Sequence, residues 1–187
     1  MNRSAEPEKQ NLPGNIWTIG HSKRSAQEFL ETLEAYGINL LADVRRFPSS
    51  RSNSQFNQNE LAPALRAAGI EYIHFPELGG RRRPRPDSDN ALWRNASFRG
   101  YADYMETAEF EQCIDRLIAA AAERRVAIMC AEAVWWRCHR RLIADYLECV
   151  GIEVTHILTA SQSKRHPLTP GAQIVQGRLY YRDQAGP

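Results

Sequence analysis

Cys130 and Glu132 stand two residues apart at the end of an apolar run, and Cys138 and His139 follow among Arg137, Arg140 and Arg141. In an extended strand, side chains two apart share a face, so Cys130 and Glu132 are expected to point the same way. Cys138 falls at the expected start of a helix, where the positive dipole end and the neighbouring arginines favour the thiolate, the reactive form of cysteine. Arginines crowd a first turn that usually prefers acidic side chains, and free backbone N–H groups there add to an anion-binding potential. The chemistry such a group can do is nucleophilic or acid–base attack by Cys130 and Glu132 on an anion held by Arg137, Cys138, His139 and Arg140, with Trp135 as a wall. Its bland counterpart is a buried core cysteine with Glu132 paired to Arg140. Position 136 is tryptophan, so the C-x5-R loop of tyrosine phosphatases is disfavoured.

Two more strand ends offer polar groups. His21 and Ser22 follow the apolar run Ile16–Ile19, and Asp43 and Arg45 end the next one, with Arg51 a few residues on. His21 and Asp43 could serve as acid and base, and Ser22, Arg45 and Arg51 could bind an anion. A structural ion pair between Asp43 and Arg45 is the alternative. Cysteine, histidine and carboxylate are also metal ligands, but C-x7-C-H is not a recognised zinc spacing. On a helix start, adjacent Cys138 and His139 would diverge by about 100°, so only one of them is expected to reach a shared centre. No particular metal or cofactor is assigned. The run Arg81-Arg82-Arg83-Pro84-Arg85, kept extended by its prolines, and interleaved Phe47, Phe56, Trp93, Phe98, Tyr101, Trp135 and Trp136 could track phosphates and stack bases.

The elements that must position these groups alternate. The apolar runs Ile16–Ile19, Ile38–Val44, Ile70–Phe75, Val126–Cys130 and Val154–Leu158 read as strands. Ser25 and Glu28 form a capping box for a helix ending at Gly37, and Leu61, Leu65 and Ala68 mark a second helix. Phe110 to Ala121 and Leu142 to Val150 mark two more. Residues 76–99 read as an irregular functional loop, and Gln176-Gly177 as the turn of a terminal hairpin. This order predicts an α/β fold, a mainly parallel sheet with helices on both faces and a small C-terminal β-hairpin. Ligands of such sheets bind outside the carboxyl ends of the strands, where the polar residues gather.

The chain has 187 residues, 43% of them hydrophobic and 25% charged, with a net charge of +2. That fits one domain over residues 15–187 behind a disordered tail over residues 1–14. The charge balance excludes a wholesale nucleic-acid coat. No apolar run is long enough for a membrane span, the start is too polar for a signal peptide, and four unpatterned cysteines do not make a disulfide scaffold; a cytoplasmic protein is expected.

Six motifs carry a resemblance: Gly20-His21-Ser22; Asp43-Val44-Arg45-Arg46-Phe47-Pro48-Ser49-Ser50-Arg51; Leu78-Gly79-Gly80; Phe98 to Met105; Cys130-Ala131-Glu132 with Cys138-His139-Arg140-Arg141; and His166-Pro167-Leu168-Thr169. In this order, from about Ile16 to Tyr181, the chain resembles the DUF488 family of bacterial and archaeal proteins. That family has no established function, so the resemblance implies no mechanism. The residues themselves point to an enzyme acting on an anionic substrate (phosphate-bearing, nucleotide or nucleic-acid-like) at the carboxyl ends of the strands. The alternatives are a metal-binding protein with a Cys/His/carboxylate centre and a non-catalytic nucleic-acid-binding accessory.

Overall fold

The computed structural model describes residues 12–182. Residues 1–11 of the expected tail lie outside them; of the rest, Pro13 is buried. Five strands run parallel: β1 (Asn15–Gly20), β2 (Leu40–Asp43), β3 (Glu71–His74), β4 (Val126–Cys130) and β5 (Glu153–Thr159). An antiparallel edge strand, β6 (Gln162–Arg165), completes the order β3-β2-β4-β1-β5-β6. A separate hairpin, β7 (Gln173–Val175) and β8 (Arg178–Tyr180), closes the described chain. Its turn residues Gln176 and Gly177 both have positive φ, as a two-residue primed turn requires.

The central strands are apolar on both faces because both are covered. Ile19, Leu41, Ala127 and Met129 pack against α1 (Ala26–Ala35) and α2 (Gln58–Ala67) through Phe29, Leu33, Leu61 and Leu65. Ile16, Leu40, Ala42, Val126 and Ile128 pack against α3 (Ala96–Met105), α4 (Ala108–Glu123) and α5 (Arg140–Cys149) on the other face. The sheet is thus an α/β layer structure with helices on both sides. Half of the expected capping box forms: the Ser25 hydroxyl accepts from the Glu28 N–H at 3.1 Å, while the Glu28 carboxylate lies 3.3 Å from Arg24 Nε.

Strand order matters for function. β4 lies between β2 and β1, so the carboxyl ends of β2, β4 and β1 are neighbours, with Gly20 paired to Cys130 and Asp43 to Met129. The chain leaves β1 toward α1 on one face and leaves β4 toward α5 on the other. A crevice between neighbouring strands is expected where such connections diverge.

Three elements depart from expectation. Part of the presumed irregular loop and the residues after it form α3, whose N-cap Asn95 accepts from the N–H groups of Ser97 and Phe98. β6 is wholly exposed, so it lacks the apolar alternation that marks a strand. Helix α5 starts at Arg140, because a 3-10 turn over Trp135–Arg137 leaves Cys138 extended (φ −125°, ψ 150°).

Gly100 explains how the arginine-rich segment is held on α3. A Cβ there would sit 2.5 Å from the Arg83 carbonyl carbon and 2.6 Å from the Arg82 oxygen. Alanine raises helix propensity by about 1 kcal/mol, but the backbone clash outweighs that gain. Gly100→Ala should therefore lower stability, by about 2 kcal/mol in chemical denaturation, and unchanged or higher stability would refute the packing argument.

Candidate functional site

These neighbouring strand ends are tied together by backbone bonds. The His21 N–H donates to the Cys130 carbonyl at 3.0 Å and the Ser22 N–H to the Ala131 carbonyl at 2.9 Å. Gly20 permits this closeness, since a Cβ there would overlap the Glu132 carbonyl. The His21 ring stacks on Phe56 with centroids 4.2 Å apart. Its Nδ1–H donates to the Ser22 carbonyl at 2.9 Å, leaving the Nε2 lone pair toward Arg45 Nη1 at 3.4 Å. Burial, with the Arg45 charge adding to it, pushes the His21 pKa down to about 4 despite the bond to the Ser22 carbonyl, the second-largest influence, so the ring is neutral at pH 7.

Asp43 and Arg45 share one face of the chain and form a buried ion pair. Arg45 Nη2 lies 2.6 Å from Asp43 Oδ2, and Arg45 Nε lies 2.9 Å from Oδ1. The Tyr72 hydroxyl donates to Oδ2 at 2.7 Å, and the Arg45 backbone N–H to Oδ1 at 3.0 Å. Both carboxylate oxygens are thereby occupied. Arg45 Nη2 also donates to the Phe56 carbonyl at 2.8 Å, which fixes the far end of the loop after β2. His74, at the end of β3, bonds the Arg45 carbonyl through Nε2 at 2.8 Å.

Beside this pair, Cys130 Sγ, Cys138 Sγ and a His139 ring nitrogen lie within 4.8 Å of one another. The expected divergence of Cys138 and His139 is overturned, because it assumed that both sit on a regular helix. With Cys138 extended and His139 at the N-cap, the two side chains converge, Cys138 Sγ to His139 Nδ1 being 3.6 Å. His139 Nε2 donates to the Val44 carbonyl at 3.2 Å, which turns Nδ1 to the sulfurs. Gly80 lies flat against the imidazole: a Cβ there would be 3.0 Å from Nδ1. Burial opposes ionisation of Cys138, but the Cys130 thiol, His139 and Arg140 together hold its pKa well below the ordinary value. The hydrogen bond to Cys138 and burial raise Cys130. The proton therefore stays on Cys130 and the charge on Cys138.

Arg140 is 1% exposed and lies inside the fold rather than on the helix surface. Its Nη1 donates to the Thr18 hydroxyl at 3.2 Å and its Nη2 to the Glu132 backbone carbonyl, while Nε has no partner among the described residues. The Glu132 carboxylate does not meet it: β4 ends at Cys130, and Glu132 is exposed. Ser22 is half-buried, and Arg51 and Arg137 are exposed. Trp135 turns inward and stacks on His156 at 4.1 Å, whereas Trp136 turns outward and is 49% exposed, as is Phe47 at 62%.

The structure thus gathers His21, Asp43, Arg45, Cys130, Cys138, His139 and Arg140, and leaves Glu132, Arg51 and Arg137 at the surface. The basic run is partly consumed internally. Arg82 donates to the Glu77 and Gly79 carbonyls over the Tyr104 ring, and Arg85 pairs with Glu106 at 2.6 Å. Two clefts, of about 610 Å³ between α3 and the hairpin and about 480 Å³ beside β3, open elsewhere. Sequence reasoning missed Thr18, Asp145 and His156, and weighed His166 only within a motif. Each is buried, and only partners distant in sequence reveal what it does.

The neutral histidines carry a pH consequence. An unfolded chain protonates His21 near pH 6.5, whereas the folded chain does so only near 4. Stability from this residue is therefore complete above pH 6.5 and lost as pH falls toward 4, by up to about 3 kcal/mol. His156, pushed down to about 2, acts in the same direction. Denaturation curves for His21→Gln should show a shallower fall between pH 6.5 and 4 than the native chain; identical slopes would show that His21 titrates normally.

No curated protein and no solved structure matches the chain. Residues 25–147, most of its length, match the family described as "Domain of unknown function DUF488". The motifs that build the crevice from Asp43 to Arg140 fall inside that range, and on this match the chain belongs to the DUF488 family.

Proposed function

We propose that the protein is a thiol-dependent enzyme acting on anionic, phosphate-bearing substrates of the nucleotide or nucleic-acid kind. The observation that carries this reading is the convergence of Cys130 Sγ, Cys138 Sγ and His139 within 4.8 Å, beside a buried arginine that meets no carboxylate. Cys138 is the nucleophile. Its thiolate, stabilised before attack by the Cys130 S–H, forms an S–P bond to the substrate phosphorus as the P–O bond to the leaving group breaks. The leaving oxygen takes a proton from water, and the resulting hydroxide cleaves the S–P bond, releasing the phosphate and restoring the thiolate. Arg140 offers the uncompensated positive charge that an anionic group seeks. His21 and Asp43 act through Arg45, which both of them contact, and so frame the crevice. Glu132, Ser22, Arg51 and Arg137 meet the substrate at the rim, with Trp136 and Phe47 as stacking faces. A cytoplasmic setting suits such a site, because thiols stay reduced there.

One specific observation favours a second reading, a metal centre on the same three residues. The 3.6 Å between Cys138 Sγ and His139 Nδ1 is close to the edge of a tetrahedron, about 3.6 Å, with zinc–sulfur and zinc–nitrogen bonds of about 2.3 and 2.0–2.1 Å. The Val44 carbonyl orients His139 in the manner of an outer-shell partner. Three protein ligands would leave a fourth position open for water or substrate, as catalytic zinc sites do.

Two measurements separate the readings. Brief alkylation at pH 7 followed by peptide mass spectrometry should modify Cys138 ahead of Cys113, Cys130 and Cys149. Prior modification of another cysteine, with Cys138 silent, would contradict the nucleophile assignment. Untagged protein should carry no stoichiometric transition metal; one equivalent that disappears in Cys138→Ser would replace the first reading with the second. Against a panel of phosphorylated substrates, Cys138→Ser should reduce turnover by at least ~10³-fold without changing the unfolding transition.

A further inference from the structure

A second polar network lies behind the crevice, entirely buried, and draws on β1, β5, α5 and the segment after β6. Thr18 on β1 and Asp145 on α5 are 0% exposed, and His156 on β5 and His166 just beyond β6 are buried with them. Thr18 Oγ1 lies 2.7 Å from His156 Nδ1, His156 Nε2 lies 2.9 Å from His166 Nδ1, and His166 Nε2 lies 2.8 Å from Asp145 Oδ1. At one end Arg140 Nη1 donates to Thr18 Oγ1 at 3.2 Å. At the other, Asp145 also accepts from the Thr169 N–H at 2.8 Å, the Thr169 hydroxyl at 2.6 Å and the Tyr181 hydroxyl at 2.7 Å.

The two ends dictate every proton between them. A guanidinium can only donate, and an ionised carboxylate can only accept. If His166 gives its Nε2–H to Asp145, its Nδ1 must accept the Nε2–H of His156, whose Nδ1 must accept the Thr18 hydroxyl proton. The Thr18 oxygen is then free to accept from Arg140. Every bond points from Arg140 toward Asp145, and no donor or acceptor along the chain is left over. Reversing the chain would require a doubly protonated His166 and would leave the Thr18 hydroxyl proton without an acceptor. Burial above all, with the Arg140 and Lys164 charges beside it, pushes His156 down to about pKa 2, which agrees with a neutral ring. The threonine is not a nucleophile: it is sealed from solvent and already receives the Arg140 bond.

We propose that Asp145 is the remote positioning residue of the thiol site, holding the Arg140 guanidinium beside Cys130 and Cys138 through the one-way chain His166–His156–Thr18. This proposal rests on the thiol reading above. Among the described residues no carboxylate lies within salt-bridge reach of Arg140, whereas Arg45 is neutralised directly by Asp43. A cation anchored through four hydrogen bonds keeps its field available where an adjacent carboxylate would cancel it. Its unpartnered Nε–H is a donor still to be filled, and an anionic group of the substrate has the right chemistry to fill it.

Thr18→Val keeps the shape of the side chain and cuts the chain next to Arg140; Thr18→Ser keeps the hydroxyl. The first readout is the rate of Cys138 alkylation by iodoacetate, an anion, relative to iodoacetamide, its neutral analogue. That ratio should exceed the value for free cysteine in the native chain and in Thr18→Ser. In Thr18→Val it should fall by about three- to tenfold, which a merely destabilised fold would not do because opening affects both reagents equally. The second readout is NMR of the native chain and both variants. His156 and His166 should carry their protons on Nε2 alone, and the Arg140 Nη1–H donated to Thr18 should be protected from exchange except in Thr18→Val. Equal ratios in all three proteins, a doubly protonated His166, or a protected Arg140 Nη1–H in Thr18→Val would each overturn the proposal. Failure of the thiol reading looks different: neither reagent labels Cys138 in any variant, and the NMR result alone then decides whether Asp145 positions Arg140.

Discussion

The Arg45 guanidinium ties two strand ends and the loop after β2 together. It forks onto Asp43 at the end of β2, reaches the Phe56 carbonyl across the loop that follows, and faces Nε2 of His21 at the end of β1. Tyr72 of β3 completes the Asp43 shell, and His74 bonds the Arg45 carbonyl. Burying such a pair costs desolvation that its own attraction barely repays, so its main contribution is to specify one arrangement. Losing one partner would strand the other as a bare buried charge, at about 3–5 kcal/mol. Three strand ends and one loop therefore have a single register relative to one another, and His21 stacks on Phe56 because both answer to the same cation.

Arg140 is the contrasting case in the same crevice. Where Arg45 is matched at contact distance, Arg140 rests on a hydroxyl and a backbone carbonyl, with Asp145 at the far end of the Thr18–His156–His166 chain. One arginine is spent on holding the crevice and the other leaves positive potential in it. Cys138 lies beside that cation, and Cys130 and His139 both turn polar groups toward its sulfur.

The sheet was legible in the sequence because parallel strands buried on both faces read as unbroken apolar runs, as Val126–Cys130 does, and because Ser25 and Glu28 announce a helix start. β6 was not legible: its four residues, Gln162–Arg165, are all exposed, and pairing with β5 alone makes them a strand. The crevice was partly legible, since strand-end logic names His21, Asp43, Arg45 and Cys130 whatever the helices do. Local logic failed between Glu132 and His139. Period-two alternation cannot foresee that β4 stops at Cys130, nor helical spacing that a 3-10 turn precedes α5. Thr18, His156 and Asp145 left no local trace at all, because a buried hydrogen-bond chain is defined by partners up to 138 positions apart.

Topology accounts for where the two cysteines meet. β1 and β4 are adjacent and parallel, yet the chain turns from β1 toward α1 on one face and from β4 toward α5 on the other. The connections diverge, and the gap between them has to be closed by the segment after Cys130 folding back over the strand ends. That fold-back bonds the Ser22 N–H to Ala131 and the Arg140 guanidinium to Glu132. It also returns Cys138 to the level of Cys130 before α5 begins. Seven residues between two cysteines would place them far apart along either a strand or a helix, but around a crevice they are the length of its cover.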